Sequence, residues 1–227
     1  MKRNAGLFLM VLVLLICGCK KDPLFTDNGT FTDMRDQHVY RSVKIGEQIW
    51  MAENLAWLPS VGPSLAGSDS IRFYYVYGYQ GSSPNEAKST TNYTTYGVLY
   101  NWEAAKIACP AGWHLPGDED WWILSDFLDN EGITVGGKMK ETGTAHWLGP
   151  NTGATNESGF TALPGGERYF SGGFSGLGEY AEFWSSLEYY ADPSFIWIRI
   201  LSSTVSYLQP DTYDHSDGFS VRCIKNP

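Results

Sequence analysis

The sequence has few basic side chains and no long hydrophobic run beyond its first twenty residues. It contains 16 Lys and Arg against 25 Asp and Glu, which gives a formal net charge of −9 at pH 7. Because nucleic-acid binding depends mainly on clustered basic residues that neutralise phosphates, we expect no nucleic-acid partner. A hydrophobic share of 43% excludes a disordered chain. The composition therefore predicts one folded, acidic domain.

The sequence also lacks the short motifs that mark common enzyme classes. It has no GxSxG, no HExxH, no P-loop and no GxGxxG after a strand, and its four His residues do not show the spacing of a zinc site. Paired carboxylates such as Glu179 and Glu182 could serve a glycosidase, but nothing in the sequence places them across a sugar. We therefore expect a protein that is not an enzyme and has no resident cofactor.

The N-terminus carries the pattern of a lipoprotein signal peptide, over residues 1–18. Basic Lys2 and Arg3 precede the apolar stretch 7–16, which is too short for a comfortable transmembrane helix. The segment Ile16-Cys17-Gly18-Cys19 resembles a bacterial lipobox, which implies cleavage before Cys19 and acylation of that residue. The alternative is an ordinary secretory signal and a free protein.

An acylated Cys19 would hold the protein on a membrane surface through its buried methylene groups. Residues 19–34 are rich in polar side chains without periodicity and are expected to form a tether, and residues 35–227 form the predicted domain. The start of the tether, Lys20-Lys21-Asp22, resembles that of many Bacteroidetes lipoproteins. This resemblance implies a location on the outer membrane and leaves open which of its two faces carries the protein.

Only two cysteines remain if Cys17 leaves with the signal peptide and Cys19 is acylated. Cys109 and Cys223 would then share an oxidising compartment, where a disulfide is favoured. The bond would close 223 − 109 = 114 residues and stabilise the fold by about 4 to 5 kcal/mol on the chain-entropy model. A catalytic thiol and a metal-binding pair are the alternatives.

Hydrophobic periodicity predicts a hairpin followed by two helices. Residues His38–Ile45 and Gln48–Leu55 alternate apolar and polar side chains around the turn Gly46-Glu47. Apolar residues at helical spacing predict a first helix over Leu99–Cys109 and a second over Asp118–Leu128. We interpret the carboxylates in the first turn of the second helix as partners of the helix dipole rather than as a metal site.

The rest of the chain is rich first in glycine and then in strand-forming residues. Residues 129–182 form a predicted long, tightly turned loop region. Four strands are predicted after it, over Glu182–Ser186, Phe195–Leu201, Ser203–Leu208 and Gly218–Ile224.

Several segments resemble the Fibrobacter succinogenes major paralogous domain, common in lipoproteins of Bacteroidetes and Fibrobacteres. They lie between residues 36 and 225 and are Val43–Leu55, Tyr100–Trp102, Cys109–Pro116, Asn156–Gly166, Phe183–Ser186 and Gly218–Cys223. The order of elements also resembles a C-type lectin-like domain. The resemblance implies an α+β fold with an N-terminal β-hairpin, two helices, a long Gly-rich loop region and a small antiparallel sheet. It implies no general activity.

The segment Gly112–Pro116 also resembles the formylglycine-generating enzyme superfamily, whose members share a lectin-like fold. Those oxidases need redox-active or copper-binding cysteines late in the domain, where this chain has only Cys223. We therefore expect no oxidase activity, and we expect His114 to hold a turn between the two helices.

Calcium is a second possibility suggested by C-type lectins. Gln209-Pro210-Asp211 spells the galactose-type triplet of those lectins, and Asp214 and Asp217 follow it closely. The triplet stands after the long loop rather than within it, and no Trp-Asn-Asp follows. A coincidence in a Pro-Asp turn is the favoured interpretation, with Asp211, Asp214 and Asp217 as the candidate calcium ligands.

A glycan can also be held without metal, by aromatic faces and carboxylates. Aromatic residues are concentrated in the Gly-rich region and the late strands; they are Trp147, Tyr169, Phe170, Phe174, Tyr180, Tyr189, Tyr190, Tyr207 and Tyr213, with Asp211 among them. The alternative is that most of them pack the small sheet, but we expect at least one exposed aromatic cluster.

Asp69-Ser70-Ile71 resembles the O-glycosylation signal of exported Bacteroidetes proteins, which makes Ser70 a candidate for modification. Taken together, the sequence predicts an outer-membrane lipoprotein that acts as a non-catalytic binding or adhesion module, with a glycan as its ligand. The first alternative is a protein-interaction or structural subunit of a surface complex. The second is an unrecognised enzyme, such as one similar to the formylglycine-generating enzymes.

Overall fold

The computed structural model describes residues 29–227, together with the backbone of Phe25–Thr26. The predicted signal peptide and Cys19 lie outside the described residues. Within the described part of the chain, no helix combines the length and the apolar character needed to cross a membrane.

The larger sheet contains the predicted hairpin. Its strands are β1 (Phe25–Thr26), β2 (Thr30–Thr32), β3 (Val39–Ile45), β4 (Gln48–Met51), β7 (Trp113–His114) and β13 (Ile224–Lys225), in the spatial order β1-β2-β3-β4-β13-β7. Every pairing is antiparallel. Ile45 faces Gln48 across the two-residue turn, where Gly46 has φ +60°, a conformation that favours glycine. The hairpin prediction is confirmed.

Three smaller sheets complete the strand structure. They are a two-stranded sheet of β5 (Tyr74–Tyr75) and β6 (Leu99–Tyr100), a two-stranded sheet of β8 (Gly165–Arg168) and β9 (Phe174–Leu177), and a three-stranded sheet of β10 (Tyr180–Glu188), β11 (Phe195–Ser202) and β12 (Gln209–Asp214). With the helices, these small antiparallel sheets confirm an α+β architecture.

Five helices occur in the described part of the chain. They are α1 (Pro84–Lys88), α2 (Thr91–Tyr96), α3 (Trp102–Ala105), α4 (Asp118–Leu128) and α5 (Val135–Met139). The second predicted helix is confirmed as α4. Its first turn binds neighbours through its carboxylates, because Asp120 accepts the Gly117 N–H at 2.8 Å and lies 3.3 Å from Nε2 of His114, and Asp118 pairs with Arg199.

The first predicted helix is much shorter than expected. Leu99–Tyr100 is a strand that pairs with Tyr74–Tyr75, and the helix starts only at Trp102, where the Asn101 side chain accepts the N–H of Ala104. The strand pairing removes the N-terminal residues from the helix, and the prediction of a helix from Leu99 to Cys109 was wrong.

The late strands also differ from the prediction. Ser203–Leu208 is not a strand, because the carbonyls of Ser202 and Val205 turn towards the buried ammonium of Lys140, at 2.8 Å each. The following residues, Gln209–Asp214, form β12 instead. The Gln-Pro-Asp triplet therefore lies in an edge strand, where a proline is tolerated, and not in a turn.

The three-stranded sheet separates two hydrophobic cores. Trp184 and Ile198 face the core that also contains Trp102 and Cys223. The neighbouring Phe183 on β10 faces the other core, with Trp50, Trp121, Trp147 and Phe160. Alternation of side chains along a strand places successive residues in different cores, so this sheet is buried on both faces.

The predicted disulfide is present. Cys109 and Cys223 are joined, with their Cα atoms 5.8 Å apart. The bond ties the turn after α3 to the residue that precedes β13, and Cys223 is completely buried.

Candidate functional site

A groove with a volume of about 800 Å³ lies between α3 and the loop that joins β10 to β11. Its polar lining combines carboxylates, hydroxyls, an amine and an imidazole, from Asp69, Ser70, Glu103, Lys106, Glu188, Ser194, Asp214 and His215, around the ring of Trp102. A groove of this size suits a small ligand or a few sugar rings.

Trp102 forms the floor of the groove. Its side chain is almost completely buried, and its indole N–H donates to the carbonyl of Ser185 at 3.2 Å. Lys106 lies one helical turn later, on the same side of the chain, with its ammonium 4.1 Å from the centre of the Trp102 ring. The imidazole of His215 meets the ring edge-on at 4.7 Å. The floor is therefore the small exposed part of an indole ring, with the Lys106 ammonium over its face and His215 in edge contact.

The rim of the groove is mainly acidic. Glu103 is paired with Lys106 at 2.5 Å, whereas Asp69 and Glu188 form no ion pair with any described residue. Asp214 is held in place because its carboxylate accepts the backbone N–H and the hydroxyl of Ser216, at 2.8 and 2.7 Å. The groove thus presents carboxylate oxygens that can accept hydrogen bonds, and one of these carboxylates, Asp214, is fixed by its hydrogen bonds to Ser216.

An aromatic cluster lies beside the groove, at the turn from β10 to β11. The Tyr189 ring contacts Tyr190 at 5.0 Å and Trp197 at 5.3 Å between ring centres. Tyr190 is 88% exposed. Because Glu188 and Ser194 of the same turn line the groove, the exposed tyrosine stands next to the acidic rim.

The other predicted aromatic residues do not join this cluster. Trp147 is completely buried in the second core, with its indole N–H on the carbonyl of Ala162, and it cannot present a face to a ligand. Tyr213 packs on Phe219, and Phe174 on Tyr77. The remaining members, all partly exposed, are Tyr169, Phe170, Tyr180 and Tyr207.

The aspartates proposed for calcium do not converge. The described residues contain no group of three or more His, Cys, Asp or Glu side chains that could hold a metal ion. Asp217 uses its carboxylate to accept the N–H groups of Phe170 and Asp214, at 2.5 and 3.0 Å, and Asp211 accepts the N–H of Thr212. These carboxylate oxygens stabilise the backbone around the end of β12.

A second group of carboxyls is buried away from the groove lining. Glu167 and Glu182 are each 3% exposed, and Asp217 is 2% exposed. Burial and the neighbouring charge of Glu167 hold the pKa of Glu182 well above its usual range, and burial raises the pKa of Asp217 to about 7. Glu179, which the sequence suggested as the partner of Glu182, is exposed. The two-residue period of a strand could have shown that Glu179 and Glu182 point to opposite faces. It could not have shown that Glu167 lies near Glu182.

Sequence reasoning missed most of the groove. The i, i+4 spacing of Trp102 and Lys106 is visible in the sequence, but it does not distinguish a surface site from a packed helix. His215 reaches Trp102 across more than a hundred residues, and its Nε2 lies 2.8 Å from the carbonyl of Pro193. Local pattern carries no signal for such contacts.

The sequence was also compared with known families and proteins. The model of the Fibrobacter succinogenes major domain matches residues 43–225. The chain belongs to this family. No curated protein and no solved structure matches it.

The Fibrobacter succinogenes major domain of this chain contains the whole candidate site. The match begins within β3 and ends in β13, so it includes both cysteines of the disulfide, the groove and the buried carboxyls. The membership confirms the resemblance seen in the sequence, and it assigns no activity.

Proposed function

We propose that this protein is a non-catalytic module that binds a glycan in the groove over Trp102. The observation that carries the proposal is a groove that combines an indole at its floor with carboxylates that form no ion pair with a described residue, beside a turn that exposes Tyr190. Sugars offer hydroxyl donors to carboxylates and an apolar ring face to aromatic side chains. Flat protein interfaces do not need this arrangement, because they depend on larger buried areas.

The proposed fold is C-type lectin-like. The pairing of β13 with β4, which brings the end of the domain back to its first hairpin, supports it. The disulfide from the turn after α3 to the residue before β13 supports it as well. The long turned region between α4 and β10, with its short helix and short hairpin, supports it too, because a C-type lectin-like fold would have its long loop in this part of the chain.

The proposed location is the outer membrane, through an acylated Cys19. The lipobox-like segment that ends at Cys19 supports this part of the proposal. The predicted tether is shorter than residues 19–34, because Thr30–Thr32 forms β2 and pairs with β3. Metabolic labelling with a radioactive fatty acid tests it, because the label should be lost in Cys19→Ser and kept in Cys17→Ser.

We expect the full chain to bind selected glycans on an array, both with calcium and with a chelator. Tyr190→Ala and Glu188→Gln should each weaken binding by roughly tenfold, since each removes a contact worth about 1 to 1.5 kcal/mol. Both residues are exposed, so the fold should not change.

A matched control is Glu47→Gln, which removes an equally exposed carboxylate from the β3–β4 turn. It should leave the affinity unchanged. An array without specific hits under both conditions would refute the glycan proposal, and hits that disappear in chelator would point to a metal-dependent site elsewhere.

A protein ligand is the second candidate function, and the outer face of α4 favours it. Trp122 and Phe127 are 65% and 62% exposed on that face, with Ile123 beside them. Exposed apolar patches of this kind often mark interaction sites. If glycan binding fails, loss of a surface-complex partner in Trp122→Ser with Phe127→Ser would support this candidate.

A further inference from the structure

The most unusual feature outside the groove is a pair of buried glutamates without a counterion. Glu167 on β8 and Glu182 on β10 each leave one carboxyl oxygen, Oε2, without a hydrogen-bond partner among the described residues. A buried polar atom without a partner costs about 1 to 3 kcal/mol, and a buried carboxylate charge costs more. The two side chains are also close enough for the charge of Glu167 to raise the pKa of Glu182.

The surroundings of this pair supply further acidic groups and no paired cation. From β12, Asp211 and Tyr213 face Glu182, and Asp217 faces it from the loop that follows. Tyr169, at the end of β8, forms a hydrogen bond with Glu167.

The nearest arginines are engaged elsewhere. The Arg168 guanidinium donates to the carbonyls of Ser64, Ala66 and Ser216. Arg199 pairs with Asp118, on the sheet face opposite to Glu182. With no cation available among the described residues, a proton is the group that can satisfy both unpartnered oxygens.

We propose that the Glu167–Glu182 pair holds one proton in the folded chain and acts as a proton-dependent latch between the hairpin β8–β9 and the three-stranded sheet, whose strand β10 packs against β8. In the closed state, this proton neutralises one of the two buried carboxyls. When the pH rises, one proton leaves to solvent and two buried negative charges remain side by side. Their repulsion and desolvation then favour separation of β8 from β10.

The latch extends towards the groove through Asp217. The Asp217 carboxylate holds both the N–H of Phe170, next to the end of β8, and the N–H of Asp214. Asp214 and His215 line the groove. Opening of the latch therefore loosens one wall of the groove, whatever ligand the groove takes.

The test compares how stability depends on pH in three full chains. The midpoint of urea unfolding is measured from about pH 5 to about pH 9 in the wild type, Glu182→Gln and Glu179→Gln. A group whose pKa is raised by folding contributes stability that is complete below its unfolded pKa and is lost as the pH rises through its folded pKa. The wild-type midpoint should therefore fall with rising pH, with a slope to which both the glutamate pair and Asp217 contribute, since burial raises the pKa of Asp217 to about 7.

Glu182→Gln should reduce this slope by about one proton, because a neutral amide at this position has no charge to gain as the pH rises, and the remaining slope belongs to Asp217. Glu179→Gln removes the same charge from an exposed position three residues away and should keep the wild-type slope. Parallel slopes in the wild type and Glu182→Gln would overturn the proposal.

If Glu182→Gln does not fold, infrared spectroscopy of the wild type replaces the comparison. A protonated buried carboxylic acid has a C=O stretch separate from that of a carboxylate. The band should be present at neutral pH and disappear at alkaline pH. Its absence at neutral pH would refute the latch.

Discussion

The completely buried cations of the described chain bind backbone carbonyls rather than acidic side chains. The cations Lys140, Arg168 and Arg222 are completely buried and are held by backbone carbonyls. The acids Glu167 and Glu182 are buried elsewhere, with no ion pair to a described residue. Because carbonyl oxygens satisfy a cation without carrying a full charge, each buried cation here organises loops instead of neutralising an acid.

Lys140 illustrates this at the scale of one residue. Its ammonium donates to the carbonyls of Thr152, Ser202 and Val205, at 2.8 to 2.9 Å, and burial lowers its pKa to about 8. We expect Lys140→Met to reduce the free energy of unfolding by about 3 kcal/mol or more, because three buried carbonyls lose their donor. Urea unfolding monitored by tryptophan fluorescence measures the change.

The control for Lys140 is Lys44→Met. Lys44 is exposed and forms one surface ion pair with Glu47, so its loss should cost less than about 1 kcal/mol. Equal effects of the two substitutions would contradict the role assigned to Lys140.

At the scale of elements, contacts within a short stretch of sequence were predictable and contacts across the chain were not. The hairpin of β3 and β4 and the helix α4 follow from alternation, turn residues and helical spacing. The helix α3 is short because the residues before it form β6 and pair with β5. The strand β12 starts after Leu208 because the Val205 carbonyl accepts a hydrogen bond from the buried Lys140 ammonium. Both causes lie more than twenty residues away in sequence, where periodicity gives no information.

Asn101 lies between β6 and α3 as the N-cap of the helix, and it is completely buried. Its side-chain oxygen accepts the N–H of Phe73 and of Ala104, and its amide donates to the carbonyls of Ser68 and Ile71. Asn101→Ala should destabilise the domain by about 2 to 4 kcal/mol, more than an ordinary helix cap. Ligand affinity should fall too, since this side chain positions the segment that carries Ser70 into the groove.

Ser83 provides the matched control, since it caps the short surface helix α1 with a single side-chain hydrogen bond. Ser83→Ala should cost about 1 kcal/mol or less. Chemical unfolding and glycan binding are measured for both variants. Together they show whether Asn101 only caps α3 or also holds the segment of Ser68–Phe73 in place, which we call its scaffold role. An Asn101→Ala variant that behaves like Ser83→Ala would disprove the scaffold role.

At the scale of the whole molecule, the disulfide is the one long-range contact that the sequence predicted. The chain has only four cysteines, and two of them belong to the lipobox-like segment. The remaining two, Cys109 and Cys223, were therefore the only candidates for a disulfide. The groove had no comparable signal, because its parts come from four separated segments of ordinary composition.

Replacement of both Cys109 and Cys223 by alanine should lower the free energy of unfolding by about 4 to 5 kcal/mol, the chain-entropy value for a closure of 114 residues. Equilibrium unfolding of this variant and of the oxidised and reduced wild type measures the effect. The reduced wild type serves as the control for lost packing, since it keeps both sulfur atoms. Unchanged stability after reduction would show that packing alone fixes the two segments.

The position of β13 between β4 and β7 has a consequence in time as well as in space. This strand comes last in the order of synthesis, yet it occupies the interior of the larger sheet, so β4 and β7 cannot be joined until residues 224–225 have left the ribosome. Partial chains that emerge earlier have an open seam at this place. A domain built in this way completes its larger sheet only after the last of the described strands has been synthesised.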